Sequence, residues 1–383
     1  MCIRDSATRS RFVVSNYGMG GSLQSGMAES RWGGPAAALL KWETTNQFDI
    51  GLDIAFLNNR VNLTVDAYYK KTKDLLLDKL IPMSSGFSRI QANYGNVTNK
   101  GLEISGHFIP VKARNFLWSI DANISFNRNK VGGLDADQYS DVAWGIENMF
   151  LVRNGEPIGT LYGYVEDGFY DNEAEVRADP LYRNETDSKV KSMVGEVKYK
   201  NLDDDPVIDN RDRQIIGNTN PDYQYGITNT LEWKNWTFSF FLQGTQGNDV
   251  LNVNLKKFDM ASVDNMPYFI YNNRWTAENR ANAKWPRANR TSTRSMRASD
   301  RYIEDGSYLR CKNVSLSYRF RHPMKFVESI NLVASVSNLF TISGYSWMDP
   351  DVNSFGSDPK RRGVDMASYP SARTFNFGVQ IGF

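Results

Sequence analysis

Thr374-Phe-Asn-Phe-Gly-Val-Gln-Ile-Gly-Phe383 closes the chain with an unbroken alternation. Phe375, Phe377, Val379, Ile381 and Phe383 fall on one face, and Thr374, Asn376, Gly378, Gln380 and Gly382 on the other. Period two is the mark of a strand lying between an apolar and a polar environment. A soluble domain usually lets a few frayed residues follow its last strand. A strand ending flush on an aromatic instead predicts an all-β chain whose outward stripe meets lipid, an antiparallel transmembrane β-barrel.

The same alternation recurs upstream. Phe48, Ile50, Leu52, Ile54 and Phe56 oppose Gln47, Asp49, Gly51, Asp53 and Ala55, and after Leu57-Asn-Asn-Arg60 a return strand carries Val61, Leu63, Val65, Ala67 and Tyr69 on one face. Further strands are predicted at Leu102 to Phe108, Trp118 to Phe126, Tyr225 to Trp233, Trp236 to Leu242, Val314 to Phe320 and Ile330 to Val336. Their connections alternate in length. Leu57 to Arg60, Pro110 to Asn115, Lys234-Asn235 and Arg321 to Ser329 are short; Thr72 to Lys100, Asn127 onward, Gly244 to Gly306 and Leu339 to Arg373 are long. A membrane barrel has this rhythm, with short periplasmic turns on one rim and long extracellular loops on the other. Keeping it requires zero or two strands between Phe126 and Tyr225, and Asn148 to Val152 with Leu161 to Tyr170 would supply two.

Composition is compatible with this reading. Hydrophobic residues make up 41%, aromatics 13%, and the net charge of +2 indicates neither disorder nor a nucleic-acid-scale basic field. Mean hydropathy is −0.50, as expected where polar lumen residues alternate with apolar ones and the loops are polar. No run approaches the roughly 18 apolar residues of a membrane helix. The opening Met1-Cys-Ile-Arg-Asp-Ser6 lacks the apolar core of a signal peptide and is a candidate non-native start. Cys2 and Cys311 offer no disulfide framework.

An ordered series of stretches resembles the C-terminal part of the SusC/RagA family of TonB-dependent outer-membrane transporters. They are Lys41-Trp-Glu-Thr-Thr-Asn-Gln47, Val65-Asp-Ala-Tyr-Tyr-Lys-Lys-Thr72, Tyr94-Gly-Asn-Val-Thr-Asn-Lys-Gly-Leu-Glu103, Gly195-Glu-Val-Lys-Tyr-Lys200, Ile216-Gly-Asn-Thr-Asn-Pro-Asp-Tyr223, Arg274-Trp-Thr-Ala-Glu-Asn279, Asp305-Gly-Ser-Tyr-Leu-Arg-Cys-Lys-Asn313 and Ser337-Asn-Leu-Phe340. The resemblance implies a roughly 22-stranded barrel around a plug. This chain would hold about ten to twelve strands of about ten residues each, the C-terminal half without the plug. Residues 1–40 are then expected to be an incomplete N-terminal loop or strand region, and residues 41–383 the C-terminal barrel with long extracellular loops.

Further implications of the resemblance are outer-membrane localisation, TonB-driven import of a nutrient oligomer, more in keeping with a glycan than a peptide, and no enzymatic activity. The partners it implies are outer-membrane lipid, a SusD-like surface lipoprotein, the TonB complex through upstream segments, and the barrel-assembly machinery, which would read Phe375, Phe377, Val379, Ile381 and Phe383. Rival readings are a secreted all-β carbohydrate-binding module or glycosidase, and a siderophore receptor of the same barrel class.

Local chemistry is sparse. Asn201, Asp203, Asp205, Val207, Asp209 and Asp212 reproduce the ligand spacing of a calcium loop, Val207 through its carbonyl. The family often has Asn-Gly-Asp-Gly at this point; here Asp204 and Pro206 replace the glycines, and proline cannot take the left-handed turn. Calcium is the one cofactor expected. Trp144, Trp275 and Trp285 are candidate platforms for a ligand ring, set against packing at loop bases or rim girdles. Tyr162, Tyr164, Tyr345 and Trp347 invite the same reading. The basic run from Arg280 to Arg301 and the tract Pro359-Lys-Arg-Arg-Gly363 read as solvated or anion-facing loop, with no nucleic-acid partner. Asp49, Asp53, Asp66 and Asp121 read as lumen carboxylates rather than paired glycosidase acids. His107 and His322 stand alone, and no nucleophile elbow, metal motif or phosphate loop is present.

Overall fold

The computed structural model describes residues 12–19, 22–29, 40–82, 84, 89–142, 146–203, 205–259, 265–288, 297–324 and 326–383. Its frame is an antiparallel meander of nine strands. These are β1 (Thr44–Phe56), β2 (Val61–Lys73), β3 (Asn96–Ala113), β4 (Phe116–Gly132), β5 (Tyr223–Trp233), β6 (Trp236–Gln246), β7 (Tyr308–Met324), β8 (Val327–Ser343) and β9 (Thr374–Gly382). Each pairs with its neighbour in sequence order, and among the described residues β1 and β9 are the unpaired edges. Phe12–Met19 and Ser22–Glu29 form a separate two-stranded ladder.

The tight connections have the backbone that hairpins require. Leu57, Asn58 and Asn59 are all left-handed, and Lys234 at φ 54° turns the chain between the paired Trp233 and Trp236. The strands run closer to their turns than sequence suggests, β3 reaching Ala113 and β7 reaching Met324. Several also exceed the expected ten residues, β3 having 18 and β7 and β8 17 each. At the long-loop end of β3 the excess is the polar Asn96-Val-Thr-Asn-Lys100, which climbs beyond the apolar stretch.

Register carries each strand's apolar set onto one surface. Leu52, Val65, Ile104, Ile124 and Tyr225 lie side by side across five strands. Along the edge strands the outward residues are exposed, Phe48 at 67% and Phe377 at 85%, while Val65, Ile104, Ile124 and Tyr225 in the middle of the sheet are half-buried by their neighbours. A soluble sandwich would cover such a surface with a second sheet, because an exposed apolar band of this extent needs a non-aqueous partner. Near the short turns Trp233, Trp236, Tyr318 and Phe320 form an aromatic rim, with Trp236 and Tyr318 edge-on at 4.6 Å.

The opposite face is polar and cross-linked. Asp53 accepts from Thr64 Oγ1 at 2.6 Å, Tyr68 donates to Asn127 at 3.0 Å, and His107 Nδ1 lies 2.6 Å from Asp121 Oδ1. Asp49 accepts from Gln47 at 3.0 Å. These contacts fit the reading of the strand carboxylates as lumen residues with structural partners.

The densest packing lies in the connections. The largest cluster of buried apolar side chains includes Val142, Ile146, Met149, Phe150, Leu161, Leu251, Ile270, Tyr302 and Val364, all outside the wall. Residues 133–222 therefore add no wall strand: β4 pairs directly with β5. The two segments expected to extend the wall, Asn148 to Val152 and Leu161 to Tyr170, do not join it: Ile146–Val152 and Thr160–Gly163 pair with Gln138–Val142 and Gln214–Asn218 in a four-stranded loop sheet, and Glu166–Phe169 pairs with Val197–Tyr199. Met149, Phe150, Leu151 and Val152 are consecutive and all buried, so they are covered on both faces, which a membrane wall with a wet lumen does not offer.

Candidate functional site: a lumen pocket beneath the last extracellular loop

Two of the stretches quoted for the resemblance, Gly195 to Lys200 and Arg274 to Asn279, meet where one loop packs on another. Gly195 shows how closely. At φ +80° a side chain is already strained, and a Cβ there would lie 2.6 Å from the Trp275 ring. Trp275 Nε1 donates to Asp171 at 3.1 Å, and Arg287 N donates to Gly195 O at 2.7 Å. Trp275 and Trp285 are buried at 8% and 9%. The Trp285 ring faces the Arg301 guanidinium at 4.9 Å and meets Phe269 edge-on. Both tryptophans thus pack loop against loop, while Trp144 lies outside the described residues.

Much of the basic run is likewise internal. Arg297 stacks on Tyr164 and donates to Ile208 O, Arg301 pairs with Glu166 at 2.6 Å, and Arg287 reaches Ser192 O. The expected solvated face is, at these positions, a set of ties between loops.

In the acidic loop, Asp203, Asp205 and Asp209 converge on one guanidinium. Arg211 lies 3.3 Å from Asp203 and 2.9 Å from Asp209 and also pairs with Asp205. Its hydrogen bond to Asp209, with the fields of Asp203 and Asp205, raises its pKa further, and the same bond holds the Asp209 carboxyl below the usual range. Asp212 is committed elsewhere, accepting from Leu202 N and Asp209 N at 2.8 Å, and Asn201 donates to Asp205 O. Val207 holds its place by donating its N–H to Asp205 Oδ1 at 2.8 Å. No group of three or more acids shaped for a metal occurs among the described residues. As arranged, the donor set does not fit calcium, because Arg211 supplies the positive charge. Calcium entry requires Arg211 to leave, so Arg211→Gln in the full-length receptor is expected to melt higher on adding millimolar calcium, by more than wild type does. Equal shifts would show that the guanidinium and the ion do not compete.

The most developed site was not singled out from sequence. Arg310 on β7 faces the lumen and is 1% exposed. It donates to Thr341 Oγ1 (3.0 Å) and Ser371 Oγ (3.2 Å), approaches Asp351 at 3.4 Å, pairs directly with Asp349 and stacks on Tyr308. Asp349 also accepts from Asp351 N at 2.9 Å and Ser371 N at 3.0 Å. Burial alone would raise its pKa; these N–H groups and Arg310 overcome that and lower it. The connection 344–373 is thereby bolted over the lumen face. Within the connection the buried Tyr345 donates to Asp365 at 2.7 Å, its phenol pKa driven up by burial and by that carboxylate.

Beside this clamp is a pocket of about 300 Å³. Gln224, Thr245 and Tyr308, neighbours in register on β5, β6 and β7, form its wall side. Asn248 and Thr219 line it at the loop bases, and Asp351, Asn353 and Arg362 come from the last connection.

The sequence model of the family described as TonB dependent receptor-like, beta-barrel matches residues 14–339. The chain belongs to that family. Family barrels are outer-membrane transporters rather than enzymes. The chain is 33% identical to TonB-dependent receptor P26 of Formosa agariphila, over 98% of its own length and 38% of the relative's. It is 29% identical to TonB-dependent receptor SusC of Bacteroides thetaiotaomicron, over 90% of itself and 32% of SusC. It therefore spans about a third of the length of these curated relatives. The solved RagAB peptide transporter has the same fold over 98% of this chain and 39% of the solved one, at a TM-score of 0.74 and 19% identity. The family barrel thus accounts for the exposed apolar band and the polar inner face.

Proposed function

We propose that this chain is the C-terminal wall and extracellular-loop region of a SusC-like transporter that imports a nutrient oligomer across the outer membrane, a glycan rather than a peptide. The observation that carries the reading is the pairing of a lipid-facing surface with an inner face whose loop-covered pocket is lined mainly by neutral hydrogen-bonding groups, Gln224, Thr245, Asn248, Tyr308 and Asn353. Such groups suit hydroxyl-rich cargo, and binding without reaction is what such a site offers. In this reading energy comes from TonB acting on upstream segments, a SusD-like surface lipoprotein covers the mouth, and the β9 stripe ending at Phe383 is read during barrel assembly.

Deleting the gene in its native host is expected to abolish uptake of an oligosaccharide while leaving uptake of the corresponding monosaccharide intact, and affinity-tagged receptor should bring down a surface lipoprotein. Normal oligosaccharide growth with defective growth on oligopeptides would transfer the cargo to peptide, as the description of RagAB as a peptide transporter suggests. A defect confined to iron limitation would favour a siderophore receptor.

A further inference from the structure

We propose that the lumen pocket beneath the 344–373 connection is a subsite for an anionic group, a carboxylate or sulfate, carried by one unit of the imported oligomer. The proposal rests on the import reading above and adds the charge class of the cargo.

Size and position come first. At about 300 Å³ the pocket is at the small end of ligand sites. It takes one unit of an oligomer and leaves the rest in the open lumen. Its wall residues are on the inner face, since Tyr225, the neighbour of Gln224, belongs to the outward row.

Charge comes second. Arg362 is the one cation among the described residues lining the pocket; it is exposed and has no ion pair or hydrogen bond there. The adjacent Arg361 is the contrast, held by Asp358 at 2.8 Å and stacked on Phe355 at 4.1 Å. Asp351 is the lining carboxylate; it faces the buried Arg310, which also pairs with Asp349. Arg362 is the guanidinium left to meet a ligand.

Rigidity comes third. Gly363, next to Arg362, has φ +66° and is packed so closely that a Cβ would lie 3.0 Å from Thr219 and 3.1 Å from Asp249 O. Its carbonyl accepts from Leu251 N at 2.8 Å. The backbone presenting Arg362 is thus fixed before any ligand arrives, which reduces the ordering lost on binding. A guanidinium offers two parallel donors to a carboxylate or sulfate, and the neutral groups across the pocket can hold the rest of the unit.

The test uses full-length receptor in detergent and calorimetric titration with three probes: tetragalacturonate, neutral tetragalactose and tetraglutamate. Wild type is expected to bind an acidic probe about tenfold more tightly than the neutral one, and Arg362→Gln to bring the ratio of acidic to neutral affinity down to about one. Arg362→Lys should restore part of it. Preference for tetragalacturonate names a uronide-type glycan; preference for tetraglutamate names an acidic peptide; either, if abolished by Arg362→Gln, supports the subsite. Acidic affinity unchanged in Arg362→Gln, or no acidic preference in wild type, overturns it. The import reading fails separately, by normal oligosaccharide uptake in the deletion strain.

Discussion

Val65→Arg in the full-length receptor is expected to lose about 2 to 4 kcal/mol of barrel stability, the depth-dependent cost of a cation on the lipid face near the bilayer midplane. Val65 is the middle member of the outward set Val61, Leu63, Val65, Ala67 and Tyr69, and its neighbours across the sheet are Leu52 and Ile104. No carboxylate shares that row, so a guanidinium there has only snorkelling to relieve it. Thr64→Arg, one residue away, points into the lumen beside Asp53 and should cost far less. Urea unfolding in lipid and heat-modifiable gel migration would compare the two. Equal losses, or wild-type behaviour of Val65→Arg, would reverse the assignment of faces.

That contrast depends on the part of the molecule sequence reveals most directly. A one-residue shift swaps every side chain between faces, so alternation at Phe48 to Phe56 or Phe375 to Phe383 states which atoms meet lipid without any coordinates. The turn at Lys234-Asn235 was equally legible, since two such residues between two alternating runs leave little choice of connection. Alternation does not say which sheet a strand joins. Asn148 to Val152 and Leu161 to Tyr170 read as a pair of wall strands because two strands, like none, preserve the parity of the meander, yet Met149 to Val152, Leu161 and Tyr162 are buried within the loops. The continuous run Met149-Phe-Leu-Val152 was the available signal, since parity is kept equally by no strand at all.

Site residues were hidden for a different reason. Ligand spacing in the acidic loop counts oxygen donors at positions along a turn, but is blind to the guanidinium of Arg211 among them. Arg362 lay in a tract read as one basic patch. The three-residue spacing of Asp358 and Arg361 could have separated a paired arginine from a free one. Arg310 was hidden by the bulge between Cys311 and Asn313, which reverses the alternation read from Val314 to Phe320, and Asp349, Asp351 and Ser371 sit in a connection with no periodicity to place them.

Arg310→Met is therefore the substitution with the most to reveal about the loops. Removing one partner of a buried ion pair leaves the other charge without compensation and typically costs about 3 to 5 kcal/mol. Here Asp349 would keep the N–H groups of Asp351 and Ser371 but lose its cation. The connection 344–373 should loosen first around Asp349 and Ser371, since the pairing of Val364 and Asp365 with Leu251 and Asn252 remains to hold its other part. Hydrogen exchange across 344–373 should rise sharply while β8 and β9 stay protected, because their ladder does not involve the clamp. Arg310→Met combined with Asp349→Leu should recover part of the loss, as replacing both members of a buried pair with apolar groups often does. The pH response follows from the same carboxylate. Asp349 has a lowered folded pKa, so the unfolded loop binds the proton more readily. The stabilisation is complete above the ordinary aspartate range near pH 4 and fades as pH falls through the lower folded value. Acidified wild type should thus approach the exchange pattern of Arg310→Met, while the double variant shows no acid step from this site. Uniform loosening of wall and loop together would mean that Arg310 supports the barrel itself rather than the lid over its pocket.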